Sequence, residues 1–364
     1  VGRKSLLNIM WFRRDLRVTD HQPLLHAVEN GLVAPLVIVE PEYWAQSFAS
    51  GRQWRFAARA IMSLRSQLAV IGAPLIVRTG SAVEAIQTLQ EKSQDVVIWS
   101  HAGVASRWEA DRDAEVGAWL DSAGIPWKTF PNIGDGQAAD GEATNWDDVL
   151  ASDPEPAPEV MIAHGVTPGR IVSERILYLD DDPCEDLPAG AAAARRAIDL
   201  HAAENGSEDG GARRIETTLA AIEPHLAWGT LSVREAWIAL EAVRLESEDE
   251  AIVQKMQSLL LERFGPLDGQ HLDPISETER ISSNAMSDAL KDLPDATAAL
   301  GTLQDSGLAR RDALAQVADA LCKQLGVSAE RAIGTLAPLC TGFVADRYRT
   351  ECVMPETGLS ASVS

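Results

Sequence analysis

Residues 6–21 read LLNIMWFRRDLRVTDH, and this segment introduces the pattern that organises the first third of the chain. Residues 6–12 form a short apolar run of strand length, followed directly by three arginines and an aspartate. A helical stretch then extends from Asp20, which is typical of an N-cap, to Gly31, which is typical of a helix end. The segment therefore predicts a strand, a charged turn and a helix.

The same alternation continues to residue 131. Further apolar runs of strand length occupy residues 33–39, 74–77, 96–99 and 125–130. Helical spacing of apolar residues occupies 51–70, 82–89 and 108–123. Because strands that alternate with helices form parallel β-α-β units, the sequence predicts an α/β fold with a doubly wound, parallel five-stranded sheet. The Arg13–Arg17 turn is expected at the carboxyl edge of that sheet, where ligands bind in such folds.

The pattern changes after residue 131. Residues 132–207 are polar, acidic and rich in proline, which predicts a long interdomain connector. Helical spacing without strand signals follows. We therefore expect an α/β domain at 1–131, a connector at 132–207, an all-helical C-terminal domain at 208–352 and a tail at 353–364.

The composition excludes several classes of protein. Of 364 residues, 46% are hydrophobic, yet no apolar run approaches the roughly 20 residues of a membrane span, and no signal-peptide pattern is present. We expect a cytoplasmic protein without a membrane partner. The four cysteines are scattered without metal-ligand spacing, so neither a disulfide scaffold nor a metal site is expected.

The charge is uneven along the chain. Residues 1–131 carry 14 basic and 13 acidic side chains, whereas residues 132–364 carry 18 basic and 41 acidic ones, a net charge of −23. Lysine is scarce, with six residues against 26 arginines. An acidic surface with little lysine is typical of a protein from a salty cytoplasm, and it disfavours nucleic acid as a partner.

The known nucleotide-binding motifs are absent, since the first strand is not followed by G-x-G-x-x-G and the chain has no P-loop sequence. Two interpretations of the Arg13–Arg17 turn are open. Its arginines could bind an anionic or planar molecule, or Asp15 could pair with one of them and fix the turn.

Four segments resemble the DNA photolyase/cryptochrome family: WFRRDLRVTD at 11–20, PLVIVEP at 35–41, GRQW at 51–54 and PHLAWGTLSVRE at 224–235. The resemblance is good to about residue 131, patchy to 215, strong at 224–237 and absent afterwards. It implies an α/β antenna domain and a helical domain that binds FAD. In the repair members of the family, light-excited reduced flavin donates an electron to a pyrimidine dimer flipped out of DNA.

The resemblance also suggests cofactor-binding residues. The family's Thr/Ser-rich phosphate-binding run reads AAIE at 220–223 here, which places Glu223 where it would repel a pyrophosphate. Thr217, Thr218 and Arg214 are the candidates for holding the FAD phosphates, through a shifted helix start. Arg14 matches a position that contacts the antenna chromophore in some members. No catalytic residue is assigned.

The aromatic inventory departs from the family pattern, because all ten tryptophans lie between residues 11 and 237. Asn284 and Asp288, one helical turn apart, are interpreted as an exposed helix face rather than as flavin contacts.

Three hypotheses about function follow. In the first, the chain is a blue-light flavoprotein whose enzymatic form repairs pyrimidine dimers. In the second, it is a degenerate, flavin-free family member with a structural or interaction role. In the third, it is an α/β module that binds another nucleotide or flavin. Damaged DNA is a partner that the acidic charge disfavours.

Overall fold

The computed structural model describes residues 6–93, 95–103, 106–131, 146–180, 182–202, 210–246, 249–264 and 280–343. Its N-terminal part is a parallel sheet of five strands in the order β3-β2-β1-β4-β5. The strands are β1 (Leu7–Phe12), β2 (Leu32–Val39), β3 (Ile76–Thr79), β4 (Val96–His101) and β5 (Trp127–Phe130). The fold prediction for this domain is confirmed, including the turn at the carboxyl edge.

Helices cover both faces of the sheet. They are α1 (Gln22–Glu29), α2 (Pro41–Trp44), α3 (Gly51–Val70), α4 (Ala82–Gln90) and α5 (Arg107–Ala123). Every residue of β1 is buried, and its side chains alternate between the two faces. Met10 and Phe12 join the core formed with α1 and α3, whereas Ile9 and Trp11 join the core formed with α4 and α5.

The remaining described elements are helical. They are α6 (Trp146–Ala151), α7 (Ala191–Ala202), α8 (Gly210–Ala227), α9 (Val233–Glu246), α10 (Glu250–Phe264), α11 (Ser283–Leu290), α12 (Pro294–Ser306), α13 (Arg311–Leu325) and α14 (Ala329–Leu336), with 3-10 turns at Glu174–Leu177 and Ala337–Leu339. Helices α7 to α10 share one hydrophobic core, and α11 to α14 share another. None of the described helices is long and apolar enough to cross a membrane.

Two details differ from the sequence-based expectation. Helices α6 and α7 fall inside the predicted connector, and α7 packs on α8 and α9 through Ala194 and Ile198. Helix α1 is capped by His21 rather than by Asp20, since the Leu24 N–H donates to Nδ1 of His21 at 3.2 Å. The predicted tail at 353–364 lies outside the described residues.

Candidate site at the carboxyl edge of the sheet

The turn after β1 contacts the end of α8 in the helical part of the chain. The Leu16 N–H donates to the Trp228 carbonyl at 3.2 Å, and the guanidinium of Arg17 donates to the Gly229 carbonyl at 3.3 Å. Arg14 donates to the Ala227 carbonyl at 3.3 Å. The turn is therefore part of the interface between the α/β domain and the helices.

Gly229 is the residue that permits this close approach. Its φ of +62° lies in the left-handed region, and a Cβ built on it would stand 2.1 Å from the Arg14 carbonyl oxygen. Beyond it, Ser232 donates to the carboxylate of Asp20, and Thr19 donates to Glu235. Two segments that carry the family resemblance, 11–20 and 224–235, thus contact each other directly.

The third such segment, residues 51–54, also joins parts of the chain that are distant in sequence. Arg52 forms a bidentate salt bridge with Asp182, with hydrogen bonds of 2.6 and 2.7 Å. It also donates to the carbonyls of Leu303, Gln304 and Leu339. Gln53 donates to the Ala337 and Cys340 carbonyls. These side chains connect α3 to the connector and to the last helices.

An aromatic pocket lies beside the turn. Trp44 and Trp228 stack in parallel with ring centroids 5.6 Å apart, and Tyr43 packs edge-on against both Trp44 and Trp108. Arg14, the candidate antenna contact, places its guanidinium over the Trp228 ring at 4.7 Å. The remaining cavity measures about 60 Å³, room for a few water molecules. A planar chromophore would enter only if one of these rings moved.

The charges around this pocket are already paired. Arg13 bonds Asp113, Arg14 bonds Glu109 at 3.2 Å, and Arg112 bonds Glu40. Burial raises the pKa of Glu40 to about 7 despite the neighbouring Arg112, and burial raises the pKa of Tyr43 to about 12. The three arginines are therefore balanced by three carboxyl groups rather than presented to an anionic ligand.

Asp15 fixes the turn, although not through an arginine side chain. Its carboxylate accepts the backbone N–H of Arg13 at 2.7 Å and a hydrogen bond from Nδ1 of His101 at 2.7 Å. Nε2 of His21 lies 3.1 Å from the same carboxylate. The pairing of Asp15 with an arginine side chain, one of the two interpretations left open above, is replaced by a buried cluster with two histidines. No sequence signal pointed to this cluster, because His101 is 86 residues away from Asp15.

The candidates for binding FAD phosphates lie inside a helix. Helix α8 begins at Gly210, so the helix start expected near Thr217 is not there. The hydroxyl of Thr218 is buried and donates to the Arg214 carbonyl at 2.8 Å, while the Arg214 side chain lies 3.5 Å from Asp249. The structure keeps these three residues close together on one helix, but it does not direct the Thr218 hydroxyl toward a ligand.

The position at which the resemblance places the FAD phosphates is filled by protein. Glu223 is 3% exposed and accepts a hydrogen bond of 2.9 Å from Arg311, which is 6% exposed. A Cβ built on Gly342 would lie 2.8 Å from Cγ of Glu223, so the chain after α14 also packs against this point. A buried carboxylate that is already paired does not fit a pyrophosphate. In the part of the chain that the structure describes, the Glu223–Arg311 pair occupies this face of α8.

A larger cleft separates the two parts of the chain. It measures about 1090 Å³ and lies between the start of α3, residues 177–180 and 182–183, and the helices from α11 onward. Trp44, Tyr178, Arg52 and Arg280 are among its lining residues. This volume slightly exceeds the roughly 300–1,000 Å³ range of cofactor and small-molecule sites. Asn284 and Asp288 of α11 are both exposed, as their helical spacing predicted.

Comparisons with known proteins agree with this architecture. The sequence model of the family described as DNA photolyase matches residues 8–133. The chain is 26% identical to cryptochrome DASH of Natronomonas pharaonis over 275 residues and 26% identical to the deoxyribodipyrimidine photo-lyase of Halobacterium salinarum over 278 residues. These alignments cover 66% and 67% of this chain. The chain spans 56% of the length of each relative.

Solved structures show the same fold. The class III photolyase of Agrobacterium tumefaciens superposes with a TM-score of 0.70 at 21% identity, over 96% of this chain and 79% of that one. The photolyase of Sulfolobus tokodaii, which was solved with two FAD molecules, superposes with a TM-score of 0.63 at 19% identity, over 94% of this chain and 81% of that one. Together with the segments that build the domain interface, these matches show that residues 8–133 are similar in sequence to the DNA photolyase family and that the chain has the fold of photolyases and cryptochromes.

Proposed function

We propose that this protein is a blue-light flavoprotein of the photolyase/cryptochrome type. The observation that carries the proposal is the way its two parts are joined: the turn after β1 and residues 224–235, both similar to the family, form one interface through Leu16, Arg17 and Gly229. The flavin is proposed by analogy with the relative solved with FAD. The cleft of about 1090 Å³ supports it by its size.

The test is the visible absorption spectrum of the purified protein, recorded before and after incubation with FAD. We expect flavin absorption that stays with the protein through gel filtration and bleaches reversibly under blue light with an electron donor. A protein without flavin absorption that also shows no saturable quenching of FAD fluorescence would contradict the proposal.

A second candidate function is that of a flavin-free family member with a structural or interaction role. The buried Glu223–Arg311 pair favours it, because it closes the face of α8 to a phosphate. The two candidates are separated by Glu223→Ser, which removes the carboxylate and leaves the Arg311 guanidinium available to an anion. Glu216→Ser, on the same helix, is the matched control, since Glu216 pairs with Arg263 and accepts the Arg311 backbone N–H.

If the flavin phosphates bind near α8, Glu223→Ser should tighten FAD binding at least tenfold, and Glu216→Ser should not. Binding that appears only in Glu223→Ser would identify a flavin-free protein with a closed site. An affinity that is equal in the wild type and in both variants would place the flavin away from α8, as in the interdomain cleft.

Repair of pyrimidine dimers is the enzymatic form of this proposal, and damaged DNA is then its substrate. Phosphate contacts need a basic surface, whereas residues 132–364 carry a net charge of −23. We therefore expect weak binding to duplex DNA and little preference for a duplex that contains a defined dimer. Fluorescence anisotropy from low to molar salt measures the binding, and product analysis after illumination measures repair. Light-dependent loss of the dimer would establish a photolyase, whereas bound flavin without repair would indicate a signalling protein.

A further inference from the structure

The buried cluster of Asp15, His21 and His101 lies beneath the turn, where β1 and β4 end and α1 begins. Oδ2 of Asp15, Nε2 of His21 and Nδ1 of His101 all lie within 4.8 Å of one another. The three residues are 2%, 0% and 5% exposed. Two imidazoles and one carboxylate are a donor set that suits zinc and related divalent ions.

One ring nitrogen of this cluster lacks a hydrogen-bond partner. Nε2 of His21 is fully buried and lies 3.1 Å from Asp15, but the two atoms do not have the alignment of a hydrogen bond. Leaving a buried polar atom unpaired costs about 1–3 kcal/mol. A polar atom that is buried, unpaired and adjacent to a carboxylate and a second imidazole is the arrangement that a shared ion would satisfy.

We infer that Asp15, His21 and His101 bind one divalent transition-metal ion of the zinc class. Two ligands of a tetrahedral zinc ion with bonds of 2.0–2.1 Å lie roughly 3.3 Å apart. The oxygen-to-nitrogen distances here are 2.7 Å and 3.1 Å, so the side chains need to separate by roughly 0.2–0.6 Å. Three protein ligands leave the fourth position to a water molecule.

Binding requires that the ring proton of each histidine moves to its other nitrogen, with no net release of protons. In His21 that proton moves to Nδ1, so the ring gives up the hydrogen bond that it now accepts from the Leu24 N–H and has to turn away from that donor. The Leu24 N–H then keeps the His21 carbonyl, 3.1 Å away, as its acceptor. The ion would tie the turn to β4 and α1.

The experiment uses the full chain after removal of metals with EDTA. Cobalt(II) is titrated while visible absorption is recorded, and the Tm is measured with and without Zn²⁺. His21→Asn removes a ligand but retains a side chain that caps helices well, and His101→Gln removes a second ligand. His26→Gln is the matched control, because His26 is half-exposed on α1 and lies outside the cluster.

We expect one equivalent of Co²⁺ with tetrahedral-type absorption, and a higher Tm with Zn²⁺. His21→Asn and His101→Gln should each weaken binding at least tenfold, and His26→Gln should leave it unchanged. Absence of both the absorption and the Tm shift would overturn the inference. Binding that is unaffected in His21→Asn and His101→Gln would also overturn it, since the ions would then sit on surface carboxylates.

Discussion

Replacing Gly229 by alanine tests whether the turn after β1 and the end of α8 are locked together. Gly229 has a φ of +62°, and the added Cβ would stand 2.1 Å from the Arg14 carbonyl oxygen and 2.5 Å from Cα of Asp15. Both neighbours are backbone atoms, so no side-chain rotation relieves the overlap. The two segments must separate.

The expected cost has two parts. The left-handed conformation of a non-glycine residue costs about 1–2 kcal/mol. Separation also weakens the hydrogen bonds of Leu16 to Trp228 and of Arg17 to Gly229, which adds about 2–3 kcal/mol when buried polar groups lose their partners. We therefore expect Gly229→Ala to lower the free energy of unfolding by about 3–5 kcal/mol.

Gly124→Ala is the matched control, because Gly124 also has a positive φ, +68°, but a Cβ there meets no atom within 4 Å. It should cost only the conformational part, about 1–2 kcal/mol. Urea unfolding followed by far-UV circular dichroism and by tryptophan fluorescence measures both variants. The fluorescence also reports on the Trp44–Trp228 stack beside Gly229. Equal destabilisation by Gly229→Ala and Gly124→Ala would refute the argument that this contact joins the domains.

Two further predictions concern buried charge. Arg311→Met should destabilise the protein by about 3–5 kcal/mol, because it leaves the Glu223 carboxylate buried without this cation, and adding Glu223→Leu should recover most of the loss in urea unfolding. The second prediction concerns pH: burial lowers the pKa of His101 to about 3 and that of His225 to about 4, so the unfolded chain binds more protons than the folded one below pH 6.5. The free energy of unfolding should therefore fall as the pH drops from 6.5 toward 4, by up to about 1.4 kcal/mol per pH unit for each of these histidines. Glu40, with a pKa of about 7, has the opposite effect between pH 4.5 and 7, because there the folded chain binds the extra proton. Glu40→Gln should therefore make the loss of stability with falling pH steeper. A free energy of unfolding that does not change with pH in urea unfolding would contradict the pKa values given for the histidines and for Glu40.

Local patterns were sufficient to predict much of the fold. Helix α3 was expected at 51–70 and extends from Gly51 to Val70, because its apolar residues repeat at helical spacing along one face. The five strands were placed within a few residues for the same reason: a short apolar run between turns depends on its own residues and little else.

The pairings at the candidate site could not be predicted in this way. Asp20 has the side chain of an N-cap, yet it accepts a hydrogen bond from Ser232, 212 residues later, and His21 caps the helix instead. From the sequence, Glu223 is expected to repel a phosphate. In the folded chain it accepts a hydrogen bond from Arg311, 88 residues away. Periodicity arises from neighbours along the chain, whereas the partner of a buried charge depends on which helices pack together, and that is settled by burial over the whole molecule.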